Sequence, residues 1–361
     1  MSVTKEEVRN CYRYILGREP ENEYVVNECV SQFGGGRTEL INLFLNSLEF
    51  KMQHNPIHRL AGYQSSDLAV FSRYVPAQQK TEEGYLTDWL GIEHSLADLP
   101  FLDSKLSGHA ISGIPVPSDA IHAEAVEYLS LFAAMETSNE TFSMMELGAG
   151  WAPWICSGGV VAKRMGKKKI HLIGVEAEGN KVPLMKRHLC KNGLCASTDF
   201  DEHTENDGVE IALYHGVIND GTKTFIPSVD IEDYGASLVT DTPFKDRPME
   251  EVTGYTMAEL TDGMDVVDLA HVDIQGYEQE LVRDQVDVFA SKVRWIGIGT
   301  HSRKIESFLL GFLPEHGFQI FREMPCAFRR FAQKPESMVD VTTVDGFQIW
   351  KNTGLVEKDP F

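Results

Sequence analysis

The chain lacks several features, and each absence removes a class of protein. No run approaches the roughly 20 uninterrupted apolar residues that a membrane-spanning helix needs, although hydrophobic residues make up 42% of the 361. The opening Met1-Ser2-Val3-Thr4-Lys5-Glu6-Glu7 lacks the basic-then-apolar layout of a secretory signal. A cytoplasmic protein with no membrane span is therefore expected. Of the six cysteines, Cys11, Cys29, Cys156, Cys190, Cys195 and Cys326, none forms a Cys-x-x-Cys pair, so no zinc or thioredoxin-like site is indicated. Cationic residues are outnumbered, 33 Lys and Arg against 54 Asp and Glu. The net charge of −21 repels phosphate backbones, so nucleic acid is not an expected partner. The one basic run, Lys167-Lys168-Lys169, reads as a solvated turn between a helix and a strand.

Against these absences stand clear periodic patterns. Thr4 and Glu7 have the spacing of a capping box. Val8, Cys11, Tyr12, Ile15 and Leu16 follow as the stripe of an amphipathic helix that Gly17 ends. A second stripe runs from Val25 to Phe33 before Gly34-Gly35-Gly36, and a third from a Thr38 cap through Leu40, Ile41, Phe44, Leu45 and Leu48. Residues 1–54 therefore read as a small α-helical module, and 55–120 as an irregular connecting region rich in Gly, Pro, Ser and Asp. From 121 to 361 helix and strand patterns alternate, which predicts a mainly parallel α/β sheet with helices on both faces.

In such a sheet, ligands bind beyond the carboxyl ends of the strands, so the last residues of each strand carry the information. The strand Phe142–Leu147 runs into Glu146-Leu147-Gly148-Ala149-Gly150-Trp151, a glycine turn opening a helix with free N–H groups. A dinucleotide enzyme wants a third glycine where Pro153 stands, which argues against an NAD-linked sugar oxidoreductase. The strand Ile170–Glu176 ends in a carboxylate, followed by Ala177, that can accept both hydroxyls of a ribose. His215-Gly216 ends a further strand and is expected against a base. His271-Val272-Asp273 places His271 and Asp273 on one strand face, with Glu278 at the following helix start. Asp273 can orient a substrate, take a proton or hold a divalent metal. His301, just past another strand end, is a candidate general base, whereas His271 reads as a hydrogen-bonded core histidine. Asp273, Glu278 and His301 have no diagnostic metal spacing, so no metal site is assigned.

Two resemblances rest on these residues. Leu16-Gly17-Arg18-Glu19-Pro20 and Ser47-Leu48-Glu49-Phe50 resemble helical modules found beside some bacterial enzymes and in phycobilisome linkers. That likeness implies docking or self-association through the N-terminal helices. From about 115 to 352 the chain resembles the FkbM family of S-adenosylmethionine (SAM) dependent methyltransferases. The glycine loop, Glu176, His188 to Leu194, Val217 to Asp220, Asp273-Ile274-Gln275-Gly276-Tyr277-Glu278 and Gly346 to Trp350 carry it. The resemblance implies a Rossmann-like class I methyltransferase sheet and SAM as cofactor. It also implies O-methylation of a hydroxyl on a small-molecule or glycan acceptor such as a sugar or natural product. Departures fall on the acceptor side: His271 where many members have lysine, Gln275 for a common glutamate, and Gly299-Thr300-His301 for a frequent glutamate. They point to a catalytic arrangement around His271, Asp273 and His301, or to a non-catalytic nucleotide-binding assembly protein.

Overall fold

Thr4 and Glu7 form the capping box that their spacing predicts: the Glu7 N–H donates to Thr4 Oγ1 (3.3 Å) and the Thr4 N–H to Glu7 Oε2 (2.8 Å). The structure is a computed structural model and describes residues 3–20, 22–32, 36–47, 62–64, 66–227, 249–328 and 342–361. Phe33 to Gly35, Leu48 to Phe50 and most of the insertion between Thr222 and Val252 lie outside the described residues. Chain contacts divide the protein into two compact units, residues 1–60 and 61–361.

The first unit holds α1 (Lys5–Ile15), α2 (Glu23–Gln32) and α3 (Arg37–Asn46). Their apolar stripes bury Val8, Cys11, Tyr12, Leu16, Val26, Leu40 and Phe44 together. Gly17 takes the left-handed conformation (φ +67°) that ends α1. Thr38 does not cap α3, which starts one residue earlier behind Gly36.

The second unit opens with α4 (Asp67–Phe71) and a small sheet of β1 (Tyr85–Thr87), β2 (Glu93–Ser95) and β3 (His109–Ala110). Phe71, Tyr74, Trp89, Leu90 and Ile92 from this stretch join the main core. Then follow α5 (Ala125–Thr137), β4 (Thr141–Leu147), α6 (Pro153–Arg164), β5 (Lys169–Glu176), α7 (Val182–Lys191), β6 (His203–Asn206) and β7 (Val209–Ile218). The remainder comprises β8 (Thr224–Pro227), β9 (Met249–Tyr255), α8 (Met257–Leu260), β10 (Val267–Val272), α9 (Glu278–Lys292), β11 (Val293–Thr300) and α10 (Arg303–Phe312). Last come β12 (Phe318–Met324), β13 (Ala327–Phe328), β14 (Thr342–Val344) and β15 (Gly346–Asn352).

The central sheet runs β12-β15-β11-β10-β4-β5-β7-β9-β8, with β6 beside β7. Strands β11, β10, β4, β5, β7 and β9 are mutually parallel, while β15 is antiparallel to both β11 and β12. This is a Rossmann-like sheet with a reversed strand inserted near one edge, the arrangement that the resemblance implies. Alternate residues feed opposite faces, as strand geometry requires. Met144 and Leu172 pack with Leu129, Trp154 and Leu189 from α5, α6 and α7, whereas Met145 and Ile173 pack with Leu260, Leu281 and Leu309 from α8, α9 and α10. Both faces are covered, so the parallel strands read as apolar runs.

Two local details differ from the sequence reading. Lys167 is not simply solvated: its ammonium donates to the carbonyls of Met135 (3.2 Å), Ser138 (3.0 Å) and Asn139 (2.9 Å), closing the carboxyl end of α5. Cys190 and Cys195 form a disulfide, and a Cys-x4-Cys spacing has no common metal or redox signature to announce it. No helix among the described residues is long and apolar enough to cross a membrane.

Candidate functional site

Strand order reverses at β4, whose neighbours β5 and β10 lead their crossovers in opposite directions. A crevice must open there beyond the carboxyl ends of the strands. It does: a cavity of about 570 Å³ is walled by the ends of β4, β5, β7 and β10. That volume suits a ligand of nucleotide size.

The glycine loop after β4 is held on two sides. Gly148 and Ala149 N–H groups both donate to the Val175 carbonyl at 3.0 Å. The Gly150 N–H donates to Glu176 Oε2 (2.6 Å), whose Oε1 accepts from Glu178 N–H (2.8 Å). Each carboxylate oxygen still has a lone pair for a ligand hydroxyl. Ala152 adopts a left-handed conformation (φ +65°) and Pro153 takes the first position of α6, where its missing N–H costs nothing. Glu146 lies under the loop and accepts the Trp154 (3.2 Å) and Ile155 (2.9 Å) N–H groups. Its carboxylate caps α6, and burial pushes its pKa well above the usual carboxylate range against those two hydrogen bonds.

The Asp273 backbone N–H bonds the Leu147 carbonyl (2.9 Å), tying the end of β10 to β4. The Asp273 carboxylate lines the cavity and accepts from the Gln275 amide (3.0 Å). His301 stands behind it, Nε2 3.2 Å from Asp273 Oδ1 and Nδ1 2.9 Å from Glu278 Oε1. Glu278 is fully buried and also accepts the Ile274 (3.2 Å) and Gly276 (3.0 Å) N–H groups. It thereby pins the turn in which Gln275 is forced to φ +54°. Burial alone would lower the His301 pKa, but the two carboxylates raise it well above the ordinary histidine value. Desolvation would raise that of Asp273, yet the His301 charge holds it below normal.

The cavity brings together Glu146, Gly148, Ala149, Gly150, Trp151, Glu176, Ala177, Gly216, His271 and Asp273 from the residues singled out by sequence. It leaves out two. His301 does not line it: its nitrogens lie 3.2 Å from Asp273 and 2.9 Å from Glu278, and an imidazolium so engaged has no lone pair with which to take a proton, unlike the expected general base. His215 does not line it either: Nε2 lies 3.0 Å from the Ala177 carbonyl, and only its neighbour Gly216 reaches the cavity. His271 differs from a hydrogen-bonded core histidine. It is buried, stacked between Trp154 (4.7 Å) and Phe347 (5.6 Å), and neither ring nitrogen has a hydrogen-bond partner among the described residues. Burial lowers its pKa to about 3, so it is a neutral imidazole.

No family model matches the chain. A protein of Jannaschia sp. (strain CCS1) described as "Putative methyltransferase" is 31% identical over 268 residues, covering 71% of this chain and 90% of the relative. The chain belongs to that methyltransferase family. Among solved structures, precorrin-6y C5,15-methyltransferase of Geobacter metallireducens GS-15 matches with a TM-score of 0.32 at 13% identity, over 64% of this chain and 89% of that one. Methyltransferase FkbM of Methylobacillus flagellatus KT matches with a TM-score of 0.34 at 11% identity, over 58% of this chain and 44% of that one.

The methyltransferase also lines its cavity with residues that sequence reasoning passed over: Phe101, His122, Glu127, Lys181, Phe225 and Ile226. Lys181 is buried and paired with Glu178 (2.7 Å). Glu127, at the start of α5, approaches His271 Nε2 at 4.0 Å, and burial raises its pKa well above normal. Phe225 and Ile226 belong to β8, inside the insertion that showed no motif. Glu127 closes the start of α5 by accepting the Glu124 N–H (2.7 Å), but Glu124-x-x-Glu127 lacks the Ser or Thr that marks a capping box in a sequence.

Proposed function

We propose that this methyltransferase uses SAM and transfers its methyl group to a hydroxyl oxygen of a sugar, glycan or natural product. One observation carries the reading: the glycine loop, Glu176, Gly216 and Asp273 meet in one cavity at the strand-order reversal. The methionine part of SAM lies along Gly148 to Gly150, the ribose hydroxyls reach Glu176, and the base rests between Gly216 to Ile218 and Phe225-Ile226. SAM carries its own activated methyl, so the protein has chiefly to align donor and acceptor. Asp273, kept ionised by His301, faces that junction and can orient the acceptor hydroxyl.

The acceptor side favours an uncharged or weakly polar molecule. Phe101, Trp151 and Trp154 present rings, Glu127 and Asp273 present acceptors, and the one lysine there is engaged with Glu178. Asp273, Glu278 and His301 also come close enough to hold a divalent ion, their ligand atoms lying within 4.8 Å of one another. Glu278 Oε1 already accepts two backbone N–H groups and His301, so the trio fits a shared imidazolium better than a metal.

The test is calorimetry with SAM, its demethylated product and NAD, together with mass spectrometry of what co-purifies. SAM or its product should bind and NAD should not. NAD binding with no SAM binding would refute the reading.

A further inference from the structure

The proposed reaction releases a hydroxyl proton, and the histidines at the cavity cannot take it. His301 is outside, with both nitrogens engaged. The ring nitrogens of His122 and His271 are sealed from solvent. Among the acids, Glu146 spends both oxygens on the Trp154 and Ile155 N–H groups, and Glu176 spends both on Gly150 and Glu178. Glu178 and Lys181 pair with each other, and burial keeps the Tyr277 phenol protonated. Asp273 is open to the cavity, but against desolvation the His301 charge holds its pKa below normal, which makes it a weak base. Resting on the methyltransferase reading above, we propose that Glu127 Oε2 takes the acceptor's hydroxyl proton.

Glu127 stands in the first turn of α5, the helix that packs on β10 and β11. Its two oxygens have different surroundings. Oε1 accepts the Glu124 N–H (2.7 Å), which closes the start of the helix and fixes the side chain's direction. Oε2 makes no hydrogen bond among the described residues, and it is not sealed as the histidine nitrogens are. The side chain keeps 15% of its surface and lines the cavity beside Asp273, Trp154 and the glycine loop, so Oε2 is the oxygen that reaches the ligand space. The nearest histidine, His271, is a neutral ring whose Nε2 lies 4.0 Å from Oε2. No imidazolium therefore weakens this carboxylate as His301 weakens Asp273. A carboxylate anchored through one oxygen and open at the other can meet an acceptor hydroxyl directly, which is the first requirement of a general base.

Charge fits the geometry. Burial raises the Glu127 pKa well above normal against the Glu124 N–H, and the charges of Asp273 beyond β10 and of Asp119 and Glu124 ahead of α5 raise it further. His271 on β10 faces it uncharged, and His122 and Glu146 line the same cavity. Asp273 is shifted the other way, so the two acids divide the work. Asp273 stays ionised and orients the hydroxyl, while Glu127 is the stronger base. With a positive charge bound beside it, Glu127 gives up its own proton and is ready to accept another. In the step, an oxygen lone pair of the acceptor forms the O–CH3 bond, and the S–CH3 bonding pair stays on sulfur as a neutral thioether. The O–H bonding pair stays on oxygen as the proton passes to Glu127 Oε2. The neutral acid so formed is the state that burial favours, and solvent then takes the proton.

Two measurements on the full chain test this, and the first needs no acceptor. In carbon-13 carboxyl NMR, with the Glu127 signal assigned by its loss in Glu127→Gln, Glu127 should be ionised in the SAM complex at the pH of turnover. A Glu127 that stays protonated in that complex overturns the proposal. The second uses methyl-labelled SAM with a panel of uncharged hexosides and phenols as probe acceptors. Glu127→Gln should lose about 100-fold or more of turnover while its SAM affinity stays within about threefold. Glutamine can still accept the Glu124 N–H, so the melting temperature should stay near wild type. Glu127→Asp, which keeps a carboxylate, should turn over faster than Glu127→Gln, and the acid limb of the wild-type kcat profile should vanish in Glu127→Gln. Unchanged turnover in Glu127→Gln overturns the proposal, whereas failure of wild type to bind SAM overturns the methyltransferase cofactor reading instead.

Discussion

Replacing Gly148 by alanine should damage fold and site together, and Gly150 two residues on supplies the control. Gly148 has φ +81°, a region in which a non-glycine residue costs about 1–2 kcal/mol. An added Cβ would overlap the carbonyl oxygen of Asp273 and stand 2.9 Å from its carbon and 3.3 Å from Ile274 Cγ2. The obstacle is backbone, which cannot swing aside. Overpacking of that kind costs about 1–3 kcal/mol, unless the end of β10 moves off β4. That movement would break the Asp273 N–H bond to Leu147, worth about 1 kcal/mol. The expected loss is about 2–5 kcal/mol, with SAM affinity reduced because Asp273 is displaced. Gly150→Ala meets nothing within 4 Å and has φ +54°, so only the conformational term of about 1–2 kcal/mol applies. Urea unfolding of both variants, with calorimetry of SAM binding, measures the difference. If Gly148→Ala is no less stable than Gly150→Ala and binds SAM normally, close approach of the two strand ends does not shape the site.

Glu176→Ala removes the clip on Gly150 and the ribose acceptor at once, and should weaken SAM binding at least about tenfold, roughly the worth of a charged hydrogen bond; unchanged affinity by calorimetry takes Glu176 out of the site. His301→Gln should alter the pH dependence of stability. The folded pKa of His301 is raised, so its contribution is complete below about 6.5 and is lost as pH climbs through the higher folded value. The stability gap between wild type and variant should therefore shrink toward alkaline pH, and a gap that stays constant from about pH 6 to 10 would show that His301 is not held as a cation.

The sheet was legible because its strands are buried on both faces and bounded by helix stripes; β4, β5, β10, β11 and β15 fall where alternating apolar runs place them. Legible for a related reason were the glycine loop and Glu176, since strand ends in such a sheet have a fixed relation to the ligand. Strands β8 and β9 were not, because they flank an insertion without periodicity. Side-chain direction was the larger gap. His301 sits one residue beyond β11, where position alone suggests the rim, but Asp273 and Glu278 draw its ring inward. His122 falls just ahead of α5, in a turn that no periodic pattern marks, so nothing in the spacing announces its contact with Asp119. Lys167 shows the same limit: a run of three lysines looks solvated until the carbonyls at the end of α5 are placed around one of them.

The acidic lining of the cavity carries a consequence for binding. Glu127, Glu146 and Glu176 all have pKa values raised, in each case first by burial. Backbone N–H groups oppose the shift at all three, and Lys181 opposes it further at Glu176. A sulfonium and an ammonium entering with SAM would favour the ionised form of these groups, because an opposite charge nearby lowers a carboxylate pKa. Binding should therefore release protons, and affinity should rise with pH until the raised values are passed, then level off. Calorimetry in buffers of different ionisation enthalpy counts the protons directly. The demethylated product lacks the sulfonium charge and should release fewer. Equal release for both ligands would place the ammonium, not the sulfonium, next to the buried carboxylates. A pH-independent affinity with no proton release would mean that the three groups are already ionised in the free protein, which their burial argues against.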